Sequence, residues 1–187
     1  RVHHGEHLMA RSEGAEVLRV GVPNAYASRL AIERDHVAPS RVGLLVHAAV
    51  SRASLLAPSA YDPTDEQLAD AVLTQHGQIE HRAALSLLIV DTLVSLRACV
   101  NKLRAVAEPA REIPFVLDLR GTTLYGIVDL VVRAGDGLHV IDLKTHPLRS
   151  ADLPRWAGYY RPQLDAYALA LHRLAQDGVV TLRPNRG

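Results

Sequence analysis

Two aspartates and a lysine stand in a stretch that is otherwise rich in Val, Ile and Leu. Asp129 lies in GIVDLVVR, Asp142 lies in GLHVIDLK, and Lys144 follows two residues later. The Ala-Gly-Asp-Gly between the two runs is typical of a hairpin turn. If Gly135 and Asp136 form its two-residue loop, residues whose numbers sum to 271 face each other, and Asp129 lies opposite Asp142.

This arrangement predicts that the two carboxylates share a proton or bind a cation. Opposed residues have Cβ atoms roughly 4.5–5.5 Å apart, and like charges there destabilise a sheet. Lys144 shares the face of Asp142 because side chains alternate along a strand. We interpret the set as a site for a divalent cation such as Mg²⁺, beside which Lys144 orients or helps to deprotonate an attacking water. The alternative is that both aspartates face solvent at strand ends, with Lys144 as a simple ion-pair partner.

The same register sorts the apolar side chains of the hairpin. Ile127, Val131 and Val140 flank the aspartates on their face. The other face carries Val128, Leu130, Val132, Ile141 and Leu143. Because both faces are largely apolar, we expect a central hairpin that is covered on both sides, with the carboxylates partly buried.

Apolar periodicity predicts helices on either side of three consecutive strands. Helices are predicted over 42–56, over 65–77 with Thr64 as the cap, and over 79–107 with an internal break. Strands are predicted over 111–120, 122–133 and 137–145. A loop that contains Trp156, a helix over 159–176 and a strand at 179–183 complete the order.

The first 40 residues carry little periodicity. Residues 1–15 include His3, His4, Glu6 and His7, which we interpret as a frayed leader and not as a metal site. A short strand is predicted at 16–22. The absence of an N-terminal methionine suggests a piece of a longer polypeptide.

Composition narrows the class of protein. Hydrophobic residues make up 48% of the 187 residues and aromatics only 4%, which favours helices packed on a sheet, an α/β or α+β class. A net charge of +1 means that any affinity for nucleic acid must come from a local patch. The lone cysteine, Cys99, excludes a four-cysteine metal centre within this chain and indicates a reducing compartment. No apolar run reaches the roughly 20 residues of a membrane helix, so we expect no membrane association.

The motifs together resemble the RecB-type branch of the PD-(D/E)XK nuclease superfamily. That branch has an Asp before an apolar strand, a D-x-K strand and a Y-x-x-Q-x-x-x-Y helix, which match Asp129, Asp142 with Lys144, and the segment 160–167. Upstream, GLLVHAAV resembles its G-x-x-x-H helix and REIPF its E-x-P-F strand. Val128 replaces the proline that names the superfamily.

The resemblance implies a restriction-endonuclease-like α/β fold, with a central mixed sheet that includes three antiparallel strands and is flanked by helices. It implies one domain over 1–187, divided into a leader or linker (1–40), a helical region (41–107) and a catalytic core (108–187).

The resemblance also implies roles for individual residues. Asp129, Asp142, the backbone carbonyl of Leu143 and His47 would bind Mg²⁺ or Mn²⁺, and Glu112 is a further candidate ligand. Without the family, His47 on an apolar helix reads as a core histidine. Lys144 would position the water, and Gln163 and Tyr167, four residues apart on one helix face, would look towards the metal. Three arginines near the loop after the D-x-K strand are candidates for DNA contacts or for plain solvated surface: Arg149, Arg155 and Arg161.

The implied activity is metal-dependent hydrolysis of DNA, as in the exonuclease domain of a superfamily 1 helicase–nuclease that processes double-strand breaks. The implied partners are DNA and a fused or associated helicase, in the cytoplasm at breaks on the nucleoid. An iron–sulfur cluster, present in some relatives, is not expected with one cysteine. Two alternatives stay open: an inactive nuclease-fold module for DNA binding or subunit contact, and a structure-specific endonuclease.

Overall fold

A β-sheet forms the centre of the protein. The computed structural model describes residues 4–10, 18–23, 37–119, 121–135, 137–145 and 152–176. Its strands are β1 (His4–Ala10), β2 (Leu18–Pro23), β3 (Ala110–Leu119), β4 (Thr122–Ala134) and β5 (Gly137–Ile141). They lie in the order β2-β1-β5-β4-β3. The three consecutive strands predicted from the sequence are therefore confirmed as β3, β4 and β5.

All pairings among the described strands are antiparallel. The mixed character expected of the sheet is not seen in this part of the chain, and the strand predicted at 179–183 lies outside the described residues. Residues 4–10 form β1 where the sequence predicts a frayed leader, and β1 pairs with both β2 and β5. Strand pairing uses backbone N–H and C=O groups, so a segment without apolar periodicity can still extend a sheet.

The β4–β5 hairpin has the predicted register. Its pairs run from Ala134 with Gly137 to Leu130 with Ile141, each summing to 271. Gly135 adopts a φ of 55°, a left-handed conformation that glycine accepts without a steric penalty. The turn residues therefore fix which side chains meet across the two strands.

Four helices lie within the described residues, and each matches a predicted one. They are α1 (Pro39–Val50), α2 (Asp65–Gln75), α3 (Arg82–Lys102) and α4 (Leu153–Gln176). Thr64 caps α2 in a capping box with Gln67, as the cap prediction requires. The internal break predicted for the third helix is wrong, because α3 runs unbroken for 21 residues that include no Gly or Pro.

The last helix begins earlier than predicted. α4 starts at Leu153, so Trp156 lies on a helix and not in a loop. Pro154 occupies the second helical position, where a missing N–H removes no intrahelical hydrogen bond. Pro162 lies inside the helix and leaves the carbonyl of Gly158 without its usual donor.

Two apolar clusters cover the two faces of the sheet. The first joins α1, α2 and α3 to four residues of the hairpin: Leu130, Val132, Ile141 and Leu143. The second joins α4 to Val131 and Val140 and to the far part of β3 and β4. The expected central hairpin, covered on both sides, is what the structure has.

Val128 departs from the predicted alternation. It belongs to the α4-side cluster with Phe115, although Leu130 and Val132 belong to the other cluster. The change of face occurs where the β3–β4 ladder lacks the pair between Glu112 and Asp129 and where Glu112 has a φ of 48°. A left-handed residue in a strand interrupts the regular alternation of side chains.

By length and composition, α3 could cross a membrane, although no membrane helix is predicted from the sequence. Half of its most apolar window is buried inside the protein. A buried core helix passes the same test, and the residues of α3 that pack against α1, α2 and the sheet include Leu93, Leu96 and Val100. We therefore describe α3 as a core helix.

Candidate metal and nuclease site

The candidate site lies at the point where β5 ends and β4 continues. The ladder stops at the pair of Leu130 with Ile141, one step before Asp129 and Asp142. In place of a ladder bond, Oδ2 of Asp129 accepts a hydrogen bond of 2.7 Å from the backbone N–H of Leu143. The register thus brings the two carboxylates to neighbouring positions, and the chain diverges just beyond them.

Asp142 is the more buried of the two aspartates. It is 6% exposed, and its Oδ2 lies 2.6 Å from Nζ of Lys144. Burial raises the pKa of the Asp142 carboxyl above its ordinary value. The hydrogen bond and charge of Lys144 oppose that shift in pKa without cancelling it, and the charge of Asp129 adds to it. Lys144 thus contacts one of two neighbouring carboxylates in a partly dry place, which leaves negative charge for a further cation.

Lys144 occupies the predicted face and is held from two sides. Besides its contact with Asp142, its Nζ lies 4.8 Å from the centroid of the Tyr160 ring. A cation over the face of a tyrosine is stabilised by the electrons of the ring. The lysine is therefore fixed in direction while its side chain keeps 26% of its exposure.

α1 brings His47 to the site. Nδ1 of His47 lies 4.0 Å from Oδ1 of Asp129, and 33% of the side chain is exposed, so His47 is not a buried core histidine. Gly43, one helical turn earlier, allows this approach: a Cβ there would lie 3.2 Å from Oγ1 of Thr145. The glycine lets α1 lie close to the segment after β5, which directs His47 towards Asp129.

α4 contributes Gln163 and Tyr167 from one helix face, as predicted. Nε2 of Gln163 lies 3.3 Å from Oδ1 of Asp142 and also donates to the hydroxyl of Tyr167. Tyr167 is 7% exposed and packs edge-on against Phe115, and burial raises the pKa of its phenol. Tyr167 therefore orients Gln163, and Gln163 contacts the carboxylate.

Glu112 is placed differently from the other candidate ligands. Its register in β3 puts it beside Asp129, but its side chain is exposed and its backbone is left-handed. Within the described ranges, no group of three or more His, Cys, Asp or Glu residues is close enough to hold a metal. A strained backbone of this kind at a site costs of the order of 1–3 kcal/mol.

The arginines do not form a cluster that can be traced. Arg149 lies outside the described residues. Arg155 is exposed near the start of α4, and Arg161 is exposed and lies 3.8 Å from Asp165 on the same helix. Their positions leave the DNA-contact role a prediction.

The donor types of the site residues suit a hard divalent cation, but their side chains would have to move closer together to hold one. Asp129, Asp142 and the backbone carbonyl of Leu143 offer oxygen ligands, and His47 offers a nitrogen. The structural observation that favours a cation is the buried Asp142 beside a second carboxylate, with Lys144 as the one ammonium in contact. One lysine cannot neutralise both carboxylates.

The structure also shows the contacts of supporting residues, of which Gly43 and Tyr160 belong to the G-x-x-x-H and Y-x-x-Q-x-x-x-Y motifs and Trp156 belongs to no motif. Gly43 sets the approach of α1, and Tyr160 holds Lys144. Trp156 stacks on Tyr160 at a centroid distance of 5.7 Å. The i, i+4 spacing of Trp156 and Tyr160 brings their rings together only when both residues lie on one helix. The sequence predicts a loop at residue 156, so this contact is not predicted.

Comparison with known proteins identifies one family. The model of the PD-(D/E)XK nuclease superfamily matches residues 23–184. That range includes α1 to α4 and strands β3 to β5, and so every candidate site residue. No curated protein and no solved structure gave a significant match.

Proposed function

The chain belongs to the PD-(D/E)XK nuclease superfamily, and we propose that it hydrolyses DNA phosphodiester bonds with the help of Mg²⁺ or Mn²⁺. The observation that carries this proposal is the buried Asp142, which lies beside Asp129 and is in contact with Lys144. A buried carboxylate beside a second carboxylate is costly unless positive charge compensates both of them.

Each residue has a task in this proposal. Asp129, Asp142, the carbonyl of Leu143 and His47 would hold the cation, and the chemistry supplied there would be activation of water and stabilisation of charge on the phosphate. Lys144 directs the attacking water, since Asp142 and the Tyr160 ring fix its Nζ. Gln163 keeps the carboxylate of Asp142 in place from the side of α4. Glu112 remains a candidate ligand that would have to turn inwards.

The finer identity is also part of the proposal. We infer an exonuclease domain of the RecB type, cluster-free because the chain has one cysteine, that works with a superfamily 1 helicase on double-strand breaks in the cytoplasm. The motifs around Asp129, Lys144 and Gln163 support the RecB-type assignment. The domain division at residues 40 and 107 is proposed with it.

The chain offers a matched test, because it contains two lysines, Lys102 and Lys144. Lys144→Ala should reduce cleavage of end-labelled DNA by about 100-fold or more, since the water loses its positioning group. Lys102→Ala, an exposed change at the end of α3, should cleave as the parent does. Equal cleavage by the parent and Lys144→Ala, with both folded by circular dichroism, would overturn the proposal.

The substrate form separates the finer possibilities. Linear and circular single-stranded DNA should be incubated with Mg²⁺ or Mn²⁺, and then with a chelator. An exonuclease degrades only the linear form, an endonuclease cuts both, and an inactive module cuts neither. Loss of cleavage on chelation is expected for a metal-dependent enzyme.

A further inference from the structure

Three aromatic rings meet in the first half of α4, beside the candidate site. Trp156 stacks on Tyr160 with an interplanar angle of 21°, and Tyr159 contacts both edge-on, at centroid distances of 5.6 Å from Trp156 and 5.1 Å from Tyr160. Aromatics make up only 4% of the chain, so three in five residues are an unusual concentration. We call this group the aromatic cluster.

The aromatic cluster is joined to the site, and its Tyr159 is open to solvent. Tyr160 is the ring that lies 4.8 Å from Nζ of Lys144, so the cluster begins at the proposed reacting centre. Tyr159 is 71% exposed. Arg155 and Arg161 lie next to it along α4 and are exposed, which adds positive charge beside the rings.

Internal packing does not account for Tyr159. A ring that served only to cover the core would be buried, as Tyr167 is at 7% exposure on the same helix. Exposed rings beside cations are the surface on which unpaired bases stack, because every base has a flat face and every nucleotide a phosphate. Paired bases in a duplex are already stacked on each other.

We propose that Tyr159 and Trp156 form a stacking platform for an unpaired base next to the scissile phosphate, so that the enzyme selects single-stranded DNA or frayed ends. This inference rests on the proposed nuclease function. Lys144 takes the phosphate side of the nucleotide, and the aromatic cluster takes its base. The preference for unpaired DNA comes from the rings, because an unpaired base has a free face that can stack on them. Phosphate contacts do not depend on the base.

Binding can be measured without cleavage. The full parent chain, kept free of metal by a chelator, is titrated with labelled dT10 and with a decamer of abasic nucleotides that has the same phosphates. The affinity for dT10 should exceed that for the abasic decamer by about tenfold or more. Trp156 is the only tryptophan in the chain, so dT10 should quench its fluorescence while the abasic decamer leaves it unchanged.

Substitutions then assign the preference to the ring. Tyr159→Ala should lower the affinity for dT10 by about tenfold and leave the abasic affinity unchanged. Tyr159→Phe should retain the preference because it keeps the ring, and Tyr159→Leu should lose it although it keeps apolar bulk. Equal affinity of the parent for both decamers, or an equal loss for both in Tyr159→Leu, would overturn the inference.

The failure of the inference is distinguishable from that of the proposed function. If the parent cleaves DNA but Tyr159→Leu and Tyr159→Phe bind and cleave single strands equally well, the stacking platform is refuted and the nuclease function stands. If it binds dT10 through Tyr159 but cleaves nothing with Mg²⁺ or Mn²⁺, the platform stands and the nuclease is refuted.

Discussion

Asp129 and Asp142 have the same chemistry but different surroundings. Asp129 accepts the N–H of Leu143 and keeps 15% of its side-chain exposure, whereas Asp142 is nearly buried and relies on Lys144 and Gln163. Burial raises the pKa of Asp142, and the charge of Asp129 adds to that rise. The charge of Asp129 can therefore be removed without exposing a buried group, provided that its hydrogen bond is kept.

We expect Asp129→Asn to stabilise the metal-free protein by about 1 kcal/mol. The amide oxygen can still accept from the N–H of Leu143, and the repulsion on Asp142 is gone. Asp129→Ala should show no such gain, because it leaves that N–H without its partner. The measurement is thermal unfolding in chelator, which should give a higher Tm for Asn than for Ala.

Adding Mn²⁺ should reverse the order of the Tm values, so that the parent unfolds at a higher temperature than Asp129→Asn. The parent should gain stability on binding the ion, and Asp129→Asn should gain little because it has lost a charged ligand. Asp118→Asn, an exposed change on β3, serves as the control and should follow the parent in both conditions. A parent whose Tm does not respond to Mn²⁺ would contradict the metal site.

The positions of the site residues were predictable where they depend on the local sequence alone. The two-residue turn at Gly135 sets the register, so the neighbourhood of Asp129 and Asp142 follows from counting. The hydrogen bond from the N–H of Leu143 does not follow, because it depends on where β5 ends. The role of Gly43 depends on the distance between α1 and Thr145, which no local pattern encodes.

Among the helices and strands too, features set by the local sequence were predictable and features set by tertiary contacts were not. Thr64 with Gln67 indicates the start of α2. The lack of Gly and Pro explains why α3 is continuous. The change of face near Glu112 could not be predicted, since a left-handed residue other than glycine carries no signal in the sequence. β1 was missed for a related reason: its pairing with β5 depends on tertiary contact.

Helices α2 and α3 are joined by two Asp–Arg pairs that differ in burial. Asp65 pairs with Arg97 through two bonds of 2.5 and 2.7 Å, with 14% and 20% of the side chains exposed. Asp70 pairs with Arg82, and 68% of the Asp70 side chain is exposed. The chain thus contains its own control for the effect of burial on an ion pair.

We expect Asp65→Asn to destabilise the protein by about 2 kcal/mol, because it leaves the largely buried Arg97 with a weaker acceptor. Asp70→Asn should cost no more than about 0.5 kcal/mol, since solvent screens an exposed pair. Denaturant unfolding of both variants measures the difference. Equal losses would show that burial does not govern these pairs.

On the scale of the whole molecule, the site lies between the two apolar clusters. α1 belongs to the first cluster and carries His47, whereas α4 belongs to the second and carries Gln163. The strands that carry Asp129 and Asp142 contribute apolar residues to both clusters. An ion bound at the site would connect the helical layers on both faces of the sheet, so its binding should stabilise the protein as a unit.

Cys99 offers a probe of that coupling, because it is fully buried in α3 within the first cluster. Burial raises the pKa of its thiol to about 11, so on the order of one thiol in a thousand is ionised at pH 8. Labelling by a thiol reagent at pH 8 should therefore require unfolding. Mn²⁺ at roughly 100 times its Kd should slow labelling about 100-fold in the parent. In Asp142→Asn, Mn²⁺ should have little effect on the labelling rate. If the labelling rate of the parent changed with neither denaturant nor Mn²⁺, the coupling would be contradicted.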